Sequence, residues 1–219
     1  MANILASAIV DQAEEILQDS SNTRWTQAEL LAWLNQGMRV IVKEKPDANP
    51  SVSSVLLASG LWQTLPTGGI ILLDAFCNMG TTGTTRGAPV TVVDRRWMDT
   101  SLPTWTTETA STTVKHVVYD PKTTPKKFMV YPQSPGTNYL EIVVATMPTS
   151  IAIDASITLG DEHADTLLDY ILFRAFSRDA DYVQNAERAI AHYQSFLTSL
   201  GKLDQMELLI NAKRGQGGK

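Results

Sequence analysis

Apolar residues recur at helical spacing through the first 48 positions. Ile4, Leu5, Ala8, Ile9, Ala13, Ile16 and Leu17 mark one amphipathic helix, and the turn-rich Asp19, Ser20, Ser21 and Asn22 separate it from a second. The second is the better specified. Thr26 and Glu29 stand three apart as a capping box, Trp25 and Leu30 are placed for a hydrophobic staple over it, and Pro46 stops the run. At about 100° per residue, Leu30, Trp33, Leu34, Gly37, Met38, Ile41 and Val42 share one side, whereas Ala32, Asn35, Gln36, Arg39 and Lys43 share the other. A stripe that wide must be buried by other helices, a sheet or a neighbouring subunit.

From Pro50 to Pro148 the character changes: Thr, Val, Pro and Gly become dense and apolar runs shorten to strand length. Strands are predicted over 51–58 and 61–65, joined near Ser59 and Gly60, and over 70–76 after Gly68 and Gly69. A loop over 80–88 follows, then a strand over 89–93, a short helical turn over 94–99 and an exposed excursion over 101–113. Three further strands, 114–119, 128–131 and 139–145, close the region, and an antiparallel meander is the simplest arrangement. After Gly160 the helical period returns. Leu167, Leu168, Ile171, Leu172, Ala175 and Phe176 form one stripe; Tyr182, Ala186, Ala189, Ile190, Tyr193, Phe196, Leu197 and Leu200 form another that ends at Gly201. The predicted class is α+β, with a four-helix bundle built from helical hairpins at 1–48 and 161–203, an antiparallel β region inserted at 49–160, and an extended tail at 204–219.

Composition narrows the function classes. The 219 residues carry 18 basic and 23 acidic groups, a net charge of −5 that argues against a general nucleic-acid coat or an anionic membrane surface. The balance is uneven, because Lys213, Arg214 and Lys219 all lie in the last seven residues. The lone Cys77 excludes an intrachain disulfide, favours a reducing compartment, and reads as a buried structural thiol without cationic activation. The N-terminus lacks a basic start and is a poor secretory signal, and no apolar run approaches the length needed to span a bilayer.

Candidate chemistry is sparse. Asp161, Glu162, His163 and Asp165 could hold a metal, but acidic residues opening a helix are explained by its dipole. His116 and Asp120 would share a strand face as an acid/base pair, although cross-strand pairing and an Asp-Pro turn explain them equally well. His192 reads as a residue at the edge of the last helix. The glycines of GTTGTTRG lack the lysine and the strand-to-helix setting of a phosphate loop. Lys115, Lys122, Lys126 and Lys127, interleaved with Tyr119, Phe128 and Tyr131, give the only local pattern resembling a nucleic-acid surface; sheet core with solvated edge lysines is the competing explanation. Arg95, Arg96 and Trp97 beside Asp94 suit either an intersubunit anchor or a local salt bridge with a buried Trp. No catalytic, cofactor or metal residue is assigned.

Taken together, WTQAELLAWLNQGMRVIVKEKPDA, LWQTLP, GIILLDAFCNMG, VTVVDRRWMDTSLPTW, VKHVVYDPKTTPKKFMVYPQSP and LLDYILFRAFSRDADYVQNAERAIAHYQSF resemble, in order and spacing, the head-to-tail adaptors of short-tailed bacteriophages. That family includes the tail tubular protein of T7-like phages. The resemblance implies a structural, non-enzymatic virion protein of the neck, assembled in the host cytoplasm. It further implies a ring of twelve copies that joins the portal protein to the tail nozzle protein, touches tail fibres and lets genomic DNA pass through its lumen. The family's C-terminal extension reaches the portal, which gives the tail carrying Met206, Leu208, Leu209, Ile210, Lys213, Arg214 and Lys219 a docking role. An acidic balance suits a conduit that must not retain phosphates. Two other classes remain: a nucleic-acid-binding module using residues 115–131, and a metal hydrolase using His163.

Overall fold

The computed structural model describes residues 4–179 and 183–216, with residues 183 and 202–216 described by backbone alone. Along the chain the elements are α1 (Ala6–Leu17), α2 (Gln27–Glu44), β1 (Pro50–Leu56), β2 (Gly60–Thr64), β3 (Gly69–Asn78), β4 (Thr91–Val93), α3 (Arg95–Ser101), β5 (His116–Val118), β6 (Lys127–Ser134), β7 (Tyr139–Thr146), α4 (Ala164–Arg178) and α5 (Val183–Gln216). The class is α+β. The chain divides into two compact units, one formed by residues 1–48 with 148–219 and the other by 49–147. Residues 148–160 therefore run with the helices.

In the helical unit, α1, α2 and α5 all pack against α4. The capping box that opens α2 is present: Glu29 N–H donates to Thr26 Oγ1, and the Glu29 carboxylate accepts from the Thr26 N–H. Glu29 also pairs with Arg178, which holds its carboxyl below the usual range, the Thr26 N–H adding to the effect. Gly37 lets α2 approach α4, since a Cβ there would lie 3.0 Å from the Tyr170 ring and 3.1 Å from Leu167. Asn35, placed on the polar side of α2 by its spacing, is buried instead. Its Oδ1 accepts from the Ile151 N–H at 2.8 Å and its Nδ2 donates to the Ile151 carbonyl at 3.1 Å, so a buried polar residue satisfies the backbone of an irregular segment. In α1 the buried positions are Ala6, Ile9, Val10 and Ala13, one step round from the predicted stripe, and Leu5 and Ile16 are exposed.

The last helix does not end at Gly201, and as far as Gln216 the tail is helical rather than extended. α5 continues through Gly201 to Gln216. A single glycine costs a helix about 1 kcal/mol relative to alanine, and the residues after it, from Lys202 to Ala212, contain no proline and mostly good helix formers. Tyr182, assigned to the apolar stripe, lies outside the described residues.

The β-rich unit is not a meander, nor wholly antiparallel. Its strands form two sheets, ordered β1-β7-β3 and β2-β6-β5-β4, and β4 pairs parallel to β5. The strands β1 and β2 are not a hairpin but one strand bent at residues 57–59, and β6 and β7 are likewise one strand bent at residues 135–138. Pairing keeps the same antiparallel sense from Pro50↔Ala145 through Leu56↔Tyr139 and Gly60↔Ser134 to Thr64↔Lys127, with a register shift between Gly60 and Trp62. A single two-stranded ladder thus turns a corner from one sheet to the other. Buried polar side chains stitch the corner. Gln63 Oε1 accepts from the Ala58 N–H at 2.6 Å, and its Nε2 donates to the carbonyls of Ala58 and Gly60 at 2.9 and 3.2 Å. Ser134 Oγ donates to Asn138 Oδ1 and accepts from the Gly136 N–H. Gly136 has φ of +89°, and a Cβ there would sit 3.2 Å from the Ser59 nitrogen.

Both sheets contribute to one core, which includes Leu72, Val117, Phe128, Val130, Leu140 and Ile142. A second cluster of Met98, Trp105, Val118 and Tyr131 covers the other side of β5 and β6. The segment 101–113 is therefore anchored: Trp105 is only 3 % exposed, and its Nε1–H donates to Asp99 Oδ1 at 2.9 Å.

Candidate functional site

The helix α3 is short and held at two points. Asp94 caps it, accepting from the Arg96 N–H at 2.7 Å, and Met98 is fully buried beneath it. With Met98 inward, Arg95, Arg96 and Trp97 are presented outward, and all three are exposed. The salt-bridge alternative holds in part: Arg95 Nε lies 3.4 Å from Asp99 Oδ2 within the helix. The buried Trp does not, because Trp97 is 47 % exposed.

Trp97 stands edge-on to His116 at 5.3 Å, and His116 stacks on Tyr131 at 6.1 Å. Tyr131 donates its hydroxyl to the Glu108 carboxylate, and this bond holds the phenol protonated above its usual range, burial adding to the effect. Burial pushes His116 below the ordinary histidine range, and the adjacent Lys115 acts the same way. Beside α3 lies an open cavity of about 480 Å³ lined by Leu61, Trp62, Asp94, Arg95, Arg96 and Asp99 among others. Trp62, which no signal in the sequence singles out, lines this cavity too. It points outward because its neighbour Gln63 takes the inward position to stitch the corner, which no local pattern reveals.

The other candidates resolve into architecture. His163 is buried, with Nδ1 unpaired, and burial lowers its pKa. Asp161 receives the Ile4 N–H at 2.8 Å, and among the described residues no group of three or more His, Cys, Asp or Glu could hold a metal ion. Asp120 closes a turn rather than pairing with His116, accepting from the Lys122 N–H and the Thr123 hydroxyl. His192 and Ser195 both bond Asp169, so they tie α5 to α4; the serine does not reach the histidine as a nucleophile–base pair requires. Cys77 is buried with its thiol raised first by desolvation and then by Glu141. Phe128 and Tyr131 are core, and the Tyr119 hydroxyl is engaged by the Leu72 N–H and the Pro125 carbonyl. The stacking platform that a nucleic-acid surface needs is therefore not offered by these aromatics.

The docking-tail residues fall where only backbone is described or beyond. Met206, Leu208, Leu209, Ile210, Lys213 and Arg214 lie on the helical continuation of α5, with their side chains outside the described residues, as is Lys219 altogether. No helix among the described residues is long and apolar enough to cross a membrane. A family model described as SU10 adaptor protein matches residues 5–215. No curated protein matches the chain.

Proposed function

Because the chain belongs to the SU10 adaptor protein family, a structural and non-enzymatic one, we propose that it is a head-to-tail adaptor of a bacteriophage virion, related to the tail tubular proteins of T7-like phages. On this proposal the copies form a ring, of twelve by the family resemblance, between the portal protein and the tail nozzle protein. Genomic DNA passes through the lumen without sequence-specific contact. The family match over residues 5–215 carries the proposal. The helical hairpins act as one four-helix bundle that sets the ring wall, and the β-rich insert as the surface that meets neighbouring subunits.

Two regions are assigned roles within it. Arg95, Arg96 and Trp97 are the intersubunit anchor, supported by their exposure on a capped helix beside an open cavity, since Trp and Arg are the residues that concentrate interface energy. Residues 204–219 dock on the portal, supported by the unbroken helix to Gln216 and the terminal basic residues. The test is electron microscopy of the purified full chain mixed with its portal. A collar of extra density below the portal is expected for the full chain and not for a chain ending at Leu203. Absence of a collar with the full chain, or an undiminished collar with the shortened one, refutes the adaptor role or the docking role respectively.

A further inference from the structure

Two sheets leave four strand edges in the β-rich unit, and three are blunted by the chain itself. β3 departs from regular register with β7 at three places, and residues 88–90 bond its outer side, with Val90 N–H donating to the Phe76 carbonyl and Asn78 N–H to the Ala88 carbonyl, both at 2.9 Å. β4 is three residues long, and β2 is five residues with a register shift between Gly60 and Trp62. β1 differs. Its seven residues pair one for one with β7 without irregularity, and after Pro50 it carries no proline and no charge. Natural edges of that length carry lysine, proline, a bulge or a cover.

The direction of the open groups follows from the ladder. Leu57 N–H donates to the Asn138 carbonyl and the Asn49 carbonyl accepts from Thr146 N–H, so odd-numbered residues bond toward β7. Val52, Ser54 and Leu56 then turn their N–H and C=O groups to the open side. Among the described residues no hydrogen bond reaches these groups. The side chains of Val52 and Leu56 are 56 % and 51 % exposed.

We propose that β1 pairs antiparallel with β1 of a second copy about a two-fold axis through Ser54, merging two three-stranded sheets into one. With only even-numbered groups available, this register makes Val52↔Leu56, Ser54↔Ser54 and Leu56↔Val52 the hydrogen-bonded pairs, about six bonds in all. It also sets each exposed valine against an exposed leucine, with serine facing serine at the axis. The occupant is a second copy for two reasons. The strand is self-complementary and uncharged, so pairing with itself opposes no like charges. And the other three edges are covered, as β3 is, or short, as β2 and β4 are, so none matches β1 in length for a head-to-tail strand addition. A two-fold pair cannot belong to a cyclic ring, so this contact is a state of the chain outside the ring and is separable from the adaptor role.

The test is sedimentation velocity of the full chain across the micromolar range, beside Ser54→Lys and Ser54→Cys. The unaltered chain is expected to form a concentration-dependent dimer. Ser54→Lys should weaken it by at least about tenfold while far-UV circular dichroism stays unchanged. Under mild oxidation Ser54→Cys should give a disulfide-linked dimer, since Cα atoms of such a pair stand about 5.5 Å apart. Thr107→Cys, on the exposed part of the 101–113 segment, should not, and the buried native Cys77 does not compete. A chain that stays monomeric throughout, an assembly indifferent to Ser54→Lys, or cross-linking of Ser54→Cys no faster than of Thr107→Cys overturns the proposal. If Ser54→Lys fails to fold, the cysteine pair alone decides.

Discussion

Replacing Gln63 with alanine tests the bent-ladder architecture directly. A hairpin between β1 and β2 would leave Gln63 on an ordinary strand face with little to lose. In the observed corner its amide makes three hydrogen bonds and is 3 % exposed. Each bond contributes about 1 kcal/mol net, and the stranded Ala58 N–H and carbonyl would add a desolvation cost. A loss of about 3–4 kcal/mol is expected, out of a stability typically of about 5–15 kcal/mol. At about 2–4 °C per kcal/mol for a chain this size, the transition should fall by about 6–16 °C. Urea unfolding followed by tryptophan fluorescence, with Trp62 next in sequence, reads the loss. Gln63→Glu separates the two halves of the amide: it can still accept from Ala58 N–H but opposes two carbonyls, so it should recover little. A Gln63→Ala chain within about 0.5 kcal/mol of the parent, the range of ordinary surface substitutions, refutes the argument.

Three other outcomes follow from named contacts. Burial holds the His163 pKa below that of the unfolded chain, so the unfolded state takes up its proton first; stability should be complete above about pH 6.5 and fall as pH drops through that value, and His163→Gln should flatten part of the decline in pH-dependent unfolding, His116 supplying another part. Thr26→Ala breaks the capping box and should cost about 1 kcal/mol by urea unfolding, with no cost meaning that Glu29–Arg178 alone holds the start of α2. Gly136→Ala forces a side chain into a left-handed backbone against Ser59 and should cost about 1–3 kcal/mol; a neutral result would place the bend elsewhere.

What could be read from the chain was what its neighbours in sequence decide. Thr26, Glu29 and Pro46 bound α2 because caps and proline act within one turn. The alternation and turn residues located strands near their observed positions for the same reason. Asn35 and Trp105 were misplaced because what buries them lies elsewhere in the chain: the Ile151 backbone for Asn35 and the β5–β6 surface for Trp105. Gln63 turns inward because the strand bends over residues 57–59, and nothing in its immediate neighbours announces that bend. The parallel pairing of β4 with β5 is likewise invisible locally, because it depends on how residues 94–115 return the chain. At the candidate site, the exposed Arg95, Arg96 and Trp97 were legible as a triplet. The cavity beside them was not, since Leu61 and Trp62 reach it only through the bend.

The unbroken course of α5 past Gly201 changes what the C-terminus can do. From Leu200, the last of its described buried positions, a further 16 residues of helix reach about 24 Å. A rod of that length converts angle into distance. A tilt of about 5° at its root displaces the far end by about 2 Å, so under the proposed docking role the portal would meet mismatched spacing through slight pivoting, without unwinding any backbone.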